Sequence, residues 1–180
     1  SAGCVINDYF DQDIDKKVYR THKRPMAAGS VSNFEALFLF TFLLSLSALL
    51  LIFLNLLSFL IASSLLILVI FYPLAKRIMN VPQIILGIVF SGGILMAFSA
   101  STNEIPLNAF VLMFANFCWI FSYDTAYAMT DRDDDKFLNI GNSSNFFKGN
   151  EKLVIWLGSL INFFLIFVTG LNENINSYFY

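Results

Sequence analysis

Ala36 to Ala75 is a run of 40 residues without a single charged side chain. As one helix it would be about 60 Å long at 1.5 Å per residue. The hydrocarbon core of a bilayer is only about 30 Å thick. The run is therefore expected to be two membrane spans, and Asn55 is its natural break. Few soluble proteins could accommodate such a stretch. The rest of the composition agrees, with 57% hydrophobic and only 13% charged residues. Both values lie on the apolar side of ordinary soluble domains. A soluble enzyme, a disulfide scaffold and a disordered chain are thereby set aside, and an integral membrane protein is expected. Cys4 and Cys118 are far apart and read as buried thiols.

The same criterion places helices at about 37–54, 56–75, 82–100, 107–129 and 153–171, with Pro82 starting the third. The connections then fall alternately on two sides. Residues 1–35, 76–81 and 130–152 share one side, which holds all 11 Lys and Arg residues of the chain. The positive-inside rule makes that side cytoplasmic. The opening Ser1-Ala2-Gly3-Cys4-Val5-Ile6 has no basic leader and reads as the last turns of a further helix.

Most of the acid lies on that basic side too. Asn7, Asp11 and Asp15 stand at i, i+4 and i+8 of a helix, with Asp8 beside them. Asp131 and Asp135 repeat the spacing, and Asp124 lies two turns below Asp131 inside an apolar span. Like charges stacked this way destabilise a helix, so something must compensate. An ionisable group within a span is costly and usually functional. Asp13, Asp133 and Asp134 read singly as surface charges.

Stacked carboxylates make an oxygen-rich site for a hard divalent cation, and Mg²⁺ uses one or two carboxylates, waters and phosphate oxygens. A cation between them inverts the local sign and admits a diphosphate. The acid clusters thus point to a metal-bridged diphosphate whose apolar tail lies in the lipid. The neighbouring bases, Lys16, Lys17, Arg20, Lys23, Arg24, Lys76 and Arg77, are candidates to neutralise the leaving diphosphate. For Lys16 and Lys17, anchoring in the headgroup layer is an equal expectation. His22 reads as surface.

The pattern Asn7-Asp8-x-x-Asp11-x-x-x-Asp15 resembles the first aspartate-rich motif of the UbiA-type intramembrane aromatic prenyltransferases. Asp131-x-x-x-Asp135 resembles the second. The wider string from Tyr123-Asp124-Thr125-x-Tyr127-Ala128-Met129 to Asp135 is similar to that of the 4-hydroxybenzoate polyprenyltransferases of ubiquinone synthesis. Arg20-Thr21-x-x-Arg24-Pro25, Tyr72-Pro73-x-x-Lys76-Arg77 and Pro82-Gln83 fit the same family. One departure stands out. The family follows Ile-Gly with Lys-Ser or Lys-Thr, whereas Ile140-Gly141 here runs into Asn142-Ser143-Ser144. Lys136 and Lys148 are the candidates for the missing lysine's role.

The resemblance implies an all-α integral membrane bundle of nine spans. The chain, one transmembrane domain over 1–180, would hold five complete spans plus the end of a sixth and be incomplete at both ends. Inactivity of the chain alone is one outcome of that reading. The implied reaction is Mg²⁺-dependent transfer of a polyprenyl group from its diphosphate to the ring of 4-hydroxybenzoate. By the resemblance Asp8, Asp11, Asp15, Asp131 and Asp135 hold the metal. Asn7, Arg20, Arg24, Lys76 and Arg77 bind the diphosphate. Asp124, Tyr127, Tyr72, Lys76 and Arg77 serve the chemistry, with Asp124 and Tyr127 orienting or deprotonating the phenol. The Phe-rich helices, with 21 phenylalanines in the chain, could shelter an allylic cation. Expected partners are the two substrates and the lipid bilayer, with no nucleic acid and no obligate protein partner. The expected location is a bacterial inner or mitochondrial inner membrane, active face toward cytoplasm or matrix. The rival readings are another prenyltransferase of the superfamily (haem, menaquinone or chlorophyll type) and a divalent-cation transporter, since acidic rings also select cations.

Overall fold

In a computed structural model of the chain, residues 1–132, 136, 138 and 140–172 are described. Among them the regular structure is entirely helical. The helices are α1 (Ala2–Asp15), α2 (Asn33–Leu51), α3 (Leu56–Ile78), α4 (Gln83–Thr102), α5 (Leu107–Ala128), α6 (Ser143–Phe146) and α7 (Glu151–Asn172). Five of them, α2, α3, α4, α5 and α7, are long and apolar enough to cross a membrane.

Helix ends follow local chemistry rather than the limits of the charge-free runs. The second helix begins at Asn33 instead of about residue 37, because Ser32 and Glu35 form a reciprocal capping box. The box satisfies amide donors that would otherwise be orphaned at the headgroup boundary. Ser32→Ala is expected to cost about 1 kcal/mol of stability, read as a lowered melting temperature in detergent. Asn55 does separate two spans, and it does so as a cap: its side chain accepts the Ser58 N–H at 2.8 Å. Its amide also donates to the Ser99 carbonyl, tying the starts and ends of α3 and α4 together. The third helix continues past residue 75 to Ile78, so Lys76 and Arg77 belong to its last turn, where cations suit the helix dipole. Pro82 opens α4, and Asn103 closes it in the left-handed conformation.

The packing order differs from the chain order. The first helix lies between α2 and α3; α3 packs on α4, α4 on α5, and α5 on α7. Close approach rests on small residues. A Cβ on Gly92 would meet Leu65, and one on Gly158 would meet Ser122. Large apolar side chains face outward, with Phe38, Trp156 and Phe163 each more than half exposed. In water such a surface would aggregate; against lipid tails it is the expected exterior.

Candidate active site

The C-terminal ends of α1, α3 and α5 and the start of α4 enclose a cavity of about 530 Å³. Asn7, Asp8, Asp11 and Asp15 reach it from α1. Tyr72 and Lys76 come from α3, Asp124 and Tyr127 from α5, and Asp131 from the segment after α5. Arg20 and Arg24 enter from the connection after α1. The acid stripe of α1 thus faces the same cavity as Asp131 after α5.

Asp8, Asp11, Asp15 and Asp131 are each paired with a base from another element. Arg20 holds Asp131 with both sides of its guanidinium; Nε donates to Oδ1 at 2.8 Å, and Nη2 donates to Oδ2. The same guanidinium donates to the Tyr127 hydroxyl at 3.1 Å, its carbon 5.1 Å from the ring centroid. The hydrogen bond it donates to Asp131 pushes the Arg20 guanidinium above its ordinary pKa, so it stays a cation. Arg24 bridges Asp8 at 3.1 Å and Asp15 at 3.0 Å. Lys76 donates to Asp11 at 2.7 Å and Asn7 at 2.9 Å, and its ammonium lies 4.9 Å from the Tyr72 ring centre.

Other residues of the sequence pattern sit elsewhere. Arg77 does not line the cavity; its guanidinium donates to the Phe10 carbonyl at 2.7 Å and clamps α3 to α1. One step of a helix turns a side chain by about 100°, so adjacent Lys76 and Arg77 cannot share a face. Asp13 points to solvent and pairs with Lys16 at 3.0 Å. Lys136 and Lys148 are exposed and outside the cavity lining. Asp135 lies outside the described residues. Phe90 is the one phenylalanine among the described lining residues, and it is 62% exposed. The other aromatic faces there are Tyr72 and Tyr127. Phe114, Phe117 and Phe121 instead stack along α5.

Sequence reasoning missed the layer that holds these groups. Gly141 donates its N–H to the Lys76 carbonyl at 2.7 Å. Asn142 donates to the Ala128 carbonyl at 3.1 Å, and the Ser143 hydroxyl donates to Thr125 at 3.0 Å. Asn142, Ser143 and Ser144 are thus turned inward as buried props. Gln83, 5% exposed, also lines the cavity. A polar residue in the first turn of an apolar helix was the available signal. Arg132 bonds Ser144 and Glu151.

Does the site suit Mg²⁺? Its donors are hard oxygens, and Asp11 Oδ1 is buried without a hydrogen-bond partner. Among the described residues no three acidic side chains converge as a ready cage. Mg²⁺ does not need one, because it keeps waters and takes the remaining oxygens from phosphate. The residues fit the ion.

An apolar helical bundle that gathers charges around a cavity at its helix ends defines a class of integral membrane protein with a polar site inside it. The family follows. The UbiA prenyltransferase family matches residues 1–180, and the chain belongs to that family. It is 42% identical over 182 residues to the 4-hydroxybenzoate octaprenyltransferase of Blochmanniella floridana, with 100% of this chain and 64% of that protein covered. It is 47% identical over 161 residues to that of Shewanella baltica strain OS155, covering 89% of this chain and 56% of the relative. The chain thus spans less than two thirds of these curated relatives. The apo structure of a UbiA homologue from Aeropyrum pernix K1 superposes with a TM-score of 0.88 at 25% identity, over 98% of this chain and 67% of that one.

Proposed function

We propose that this protein transfers a polyprenyl group from its diphosphate to the ring of 4-hydroxybenzoate, in ubiquinone biosynthesis. The observation that carries the reading is the single cavity in which Asp8, Asp11 and Asp15 of the first motif and Asp131 of the second meet three bases. Its wall then turns apolar through Val69, Leu86, Val89 and Phe90, a lining for an isoprenoid rather than for a hydrated ion. The names of the relatives support the acceptor.

In this reading Asp8, Asp11, Asp15, Asp131 and Asp135 hold Mg²⁺, and the chemistry supplied by bound Mg²⁺ is neutralisation of the diphosphate. Arg20, Arg24 and Lys76 serve the carboxylates as counter-ions in the free protein. On substrate arrival the same side chains turn to the diphosphate oxygens, so little net charge is buried without a partner. Asn7 orients a ligand oxygen. The allylic C–O bond breaks, and its electron pair leaves with the diphosphate. The ring carbon ortho to the hydroxyl supplies the new C–C bond. Asp124 takes the phenol proton as that pair is given. It returns the proton when the ring C–H proton departs with the diphosphate and aromaticity is restored. Tyr72 and Tyr127 present aromatic faces to the developing cation. The cavity opens toward the cytoplasm or matrix of a bacterial inner or mitochondrial inner membrane.

Offering aromatic acceptors side by side to the membrane-embedded protein tests the reading. Prenylation of 4-hydroxybenzoate ahead of a naphthoate, a chlorophyllide or haem is expected. Preferred prenylation of one of the others would assign the chain to a different branch of the family.

A further inference from the structure

Asp131 stands three residues past Ala128, the last residue of α5, so the hydrogen-bond ladder of that helix does not fix it. In the free protein its side chain is held by Arg20. During transfer Arg20 turns to the diphosphate, and something else must keep the carboxylate in place. The next residue is firmly tethered. Arg132 Nε donates to the Ser144 hydroxyl at 2.7 Å, and Nη2 donates to Glu151 Oε1. The Arg132 carbonyl accepts the Asn145 side-chain amide at 3.1 Å. The partners of this tether are themselves anchored. Glu151 Oε2 accepts the Gly149 N–H at 2.9 Å, and Glu151 opens α7, where a carboxylate suits the helix dipole. The Ser144 N–H donates to Asn142 Oδ1 at 2.7 Å, and Asn142 donates in turn to the Ala128 carbonyl at the end of α5. Asn142, Ser144 and Glu151 are all buried. Neither Arg132 nor Glu151 lines the cavity.

We propose that Arg132 is a positioning residue for Asp131, with Glu151 as its anchor. Residue 132 is pinned through its main chain and its side chain at once. Its neighbour Asp131 is then presented to the cavity at a fixed height, whether or not Arg20 still holds it. The inference rests on the reading of Asp131 as an Mg²⁺ ligand in prenyl transfer. An arginine suits the task, because its planar fork reaches Ser144 and Glu151 together, whereas a lysine offers one point charge. A buried ion pair adds little net stability beside apolar packing of the same volume. Its use here is to select one arrangement of the segment after α5. Partners that orient a metal-binding side chain from behind typically matter by about 10–100-fold in metal affinity or activity.

The test compares the wild type with Arg132→Met, Glu151→Gln, the pair and Asp131→Asn, each embedded in lipid vesicles. Labelled inorganic diphosphate retained on the vesicles is measured as Mg²⁺ is raised, with no prenyl substrate or acceptor present. The Mg²⁺ dependence of the initial transfer rate is followed beside it. Arg132→Met is expected to raise the half-saturating Mg²⁺ concentration by on the order of 10-fold in both readouts. Retention at saturating Mg²⁺ should return to the wild-type level, which a protein that had merely lost structure would not show. Glu151→Gln keeps the size of the side chain and an acceptor for the Gly149 N–H. It should shift the Mg²⁺ requirement in the same direction, and it carries the test if the methionine variant does not fold. The pair should shift no further than Arg132→Met alone, the mark of residues that act as a unit. A wild-type Mg²⁺ requirement in the Arg132 and Glu151 variants would overturn the proposal, and so would shifts that multiply in the pair. An Asp131→Asn protein with wild-type Mg²⁺ dependence would overturn the reading of Asp131 itself, and this proposal with it.

Discussion

Asp11→Asn is expected to lower prenyl transfer by on the order of 10²–10³-fold, the range seen when one preorganised electrostatic group is removed from a reacting centre. The substitution keeps the size of the side chain. It removes the charge that faces Lys76 at 2.7 Å and changes the carboxylate whose Oδ1 has no hydrogen-bond partner. Lys76 keeps its bond to Asn7 at 2.9 Å, so the helix ends stay joined. Asp131→Asn should cost as much, because Arg20 holds both oxygens of that carboxylate. Asp13→Asn is the control: its side chain is exposed and pairs only with Lys16 among the described ion pairs, and no change in rate is expected. Initial rates at matched amounts of folded protein decide the matter. Near wild-type turnover in both Asp11→Asn and Asp131→Asn would contradict the metal–diphosphate account.

Gly141→Ala is expected to destabilise the protein by about 3 kcal/mol or more, beyond the usual range for overpacking. An added Cβ would stand 1.7 Å from the Met79 carbonyl oxygen and 2.9 Å from its carbon. Both are backbone atoms, so no rotamer change relieves the clash. The loop must then move away, breaking the bond from the Gly141 N–H to the Lys76 carbonyl and disturbing Ser143 beneath Gln83. The contrast is Gly93→Ala in α4, where nothing lies within 4 Å of the new atom. A helical glycine replaced there should gain about 0.5–1 kcal/mol. Thermal unfolding in detergent reads both. A Gly141→Ala protein that melts with the wild type would show that the loop does not sit against the end of α3.

The contrast between these two sites shows what could be read from sequence. Spacing within one helix is legible, since 100° per residue fixes which side chains share a face. Hence Asn7, Asp11 and Asp15 could be grouped, and Asp124 could be placed beneath Asp131. Pairing between helices leaves no such trace. The Arg20–Asp131 bond joins residues 111 apart in the chain. Only the fold reveals that Arg20, Arg24 and Lys76 each already hold an acid. The positions of the spans were legible from hydropathy, but their ends were not, because a capped first turn or a basic last turn belongs to the helix despite its charge. Arg77 shares its motif with Lys76, yet helical rotation sends it to the Phe10 carbonyl. The phenylalanines mark an apolar exterior, and composition alone does not say that tyrosines supply most of the aromatic wall of the cavity. The props at Gly141, Asn142 and Ser143 looked like a lost motif, because their partners, the Lys76 and Ala128 carbonyls and the Gln83 and Thr125 side chains, lie far off in the chain.

The central claim is that this cavity transfers an isoprenoid from its diphosphate to 4-hydroxybenzoate with the help of Mg²⁺. The most direct measurement is the rate of that transfer by the wild-type protein in membranes stripped of divalent cations with a chelator, before and after Mg²⁺ is restored. The account predicts loss of transfer in the chelated membranes and recovery on addition of Mg²⁺. Transfer at the full rate without a divalent cation would contradict it.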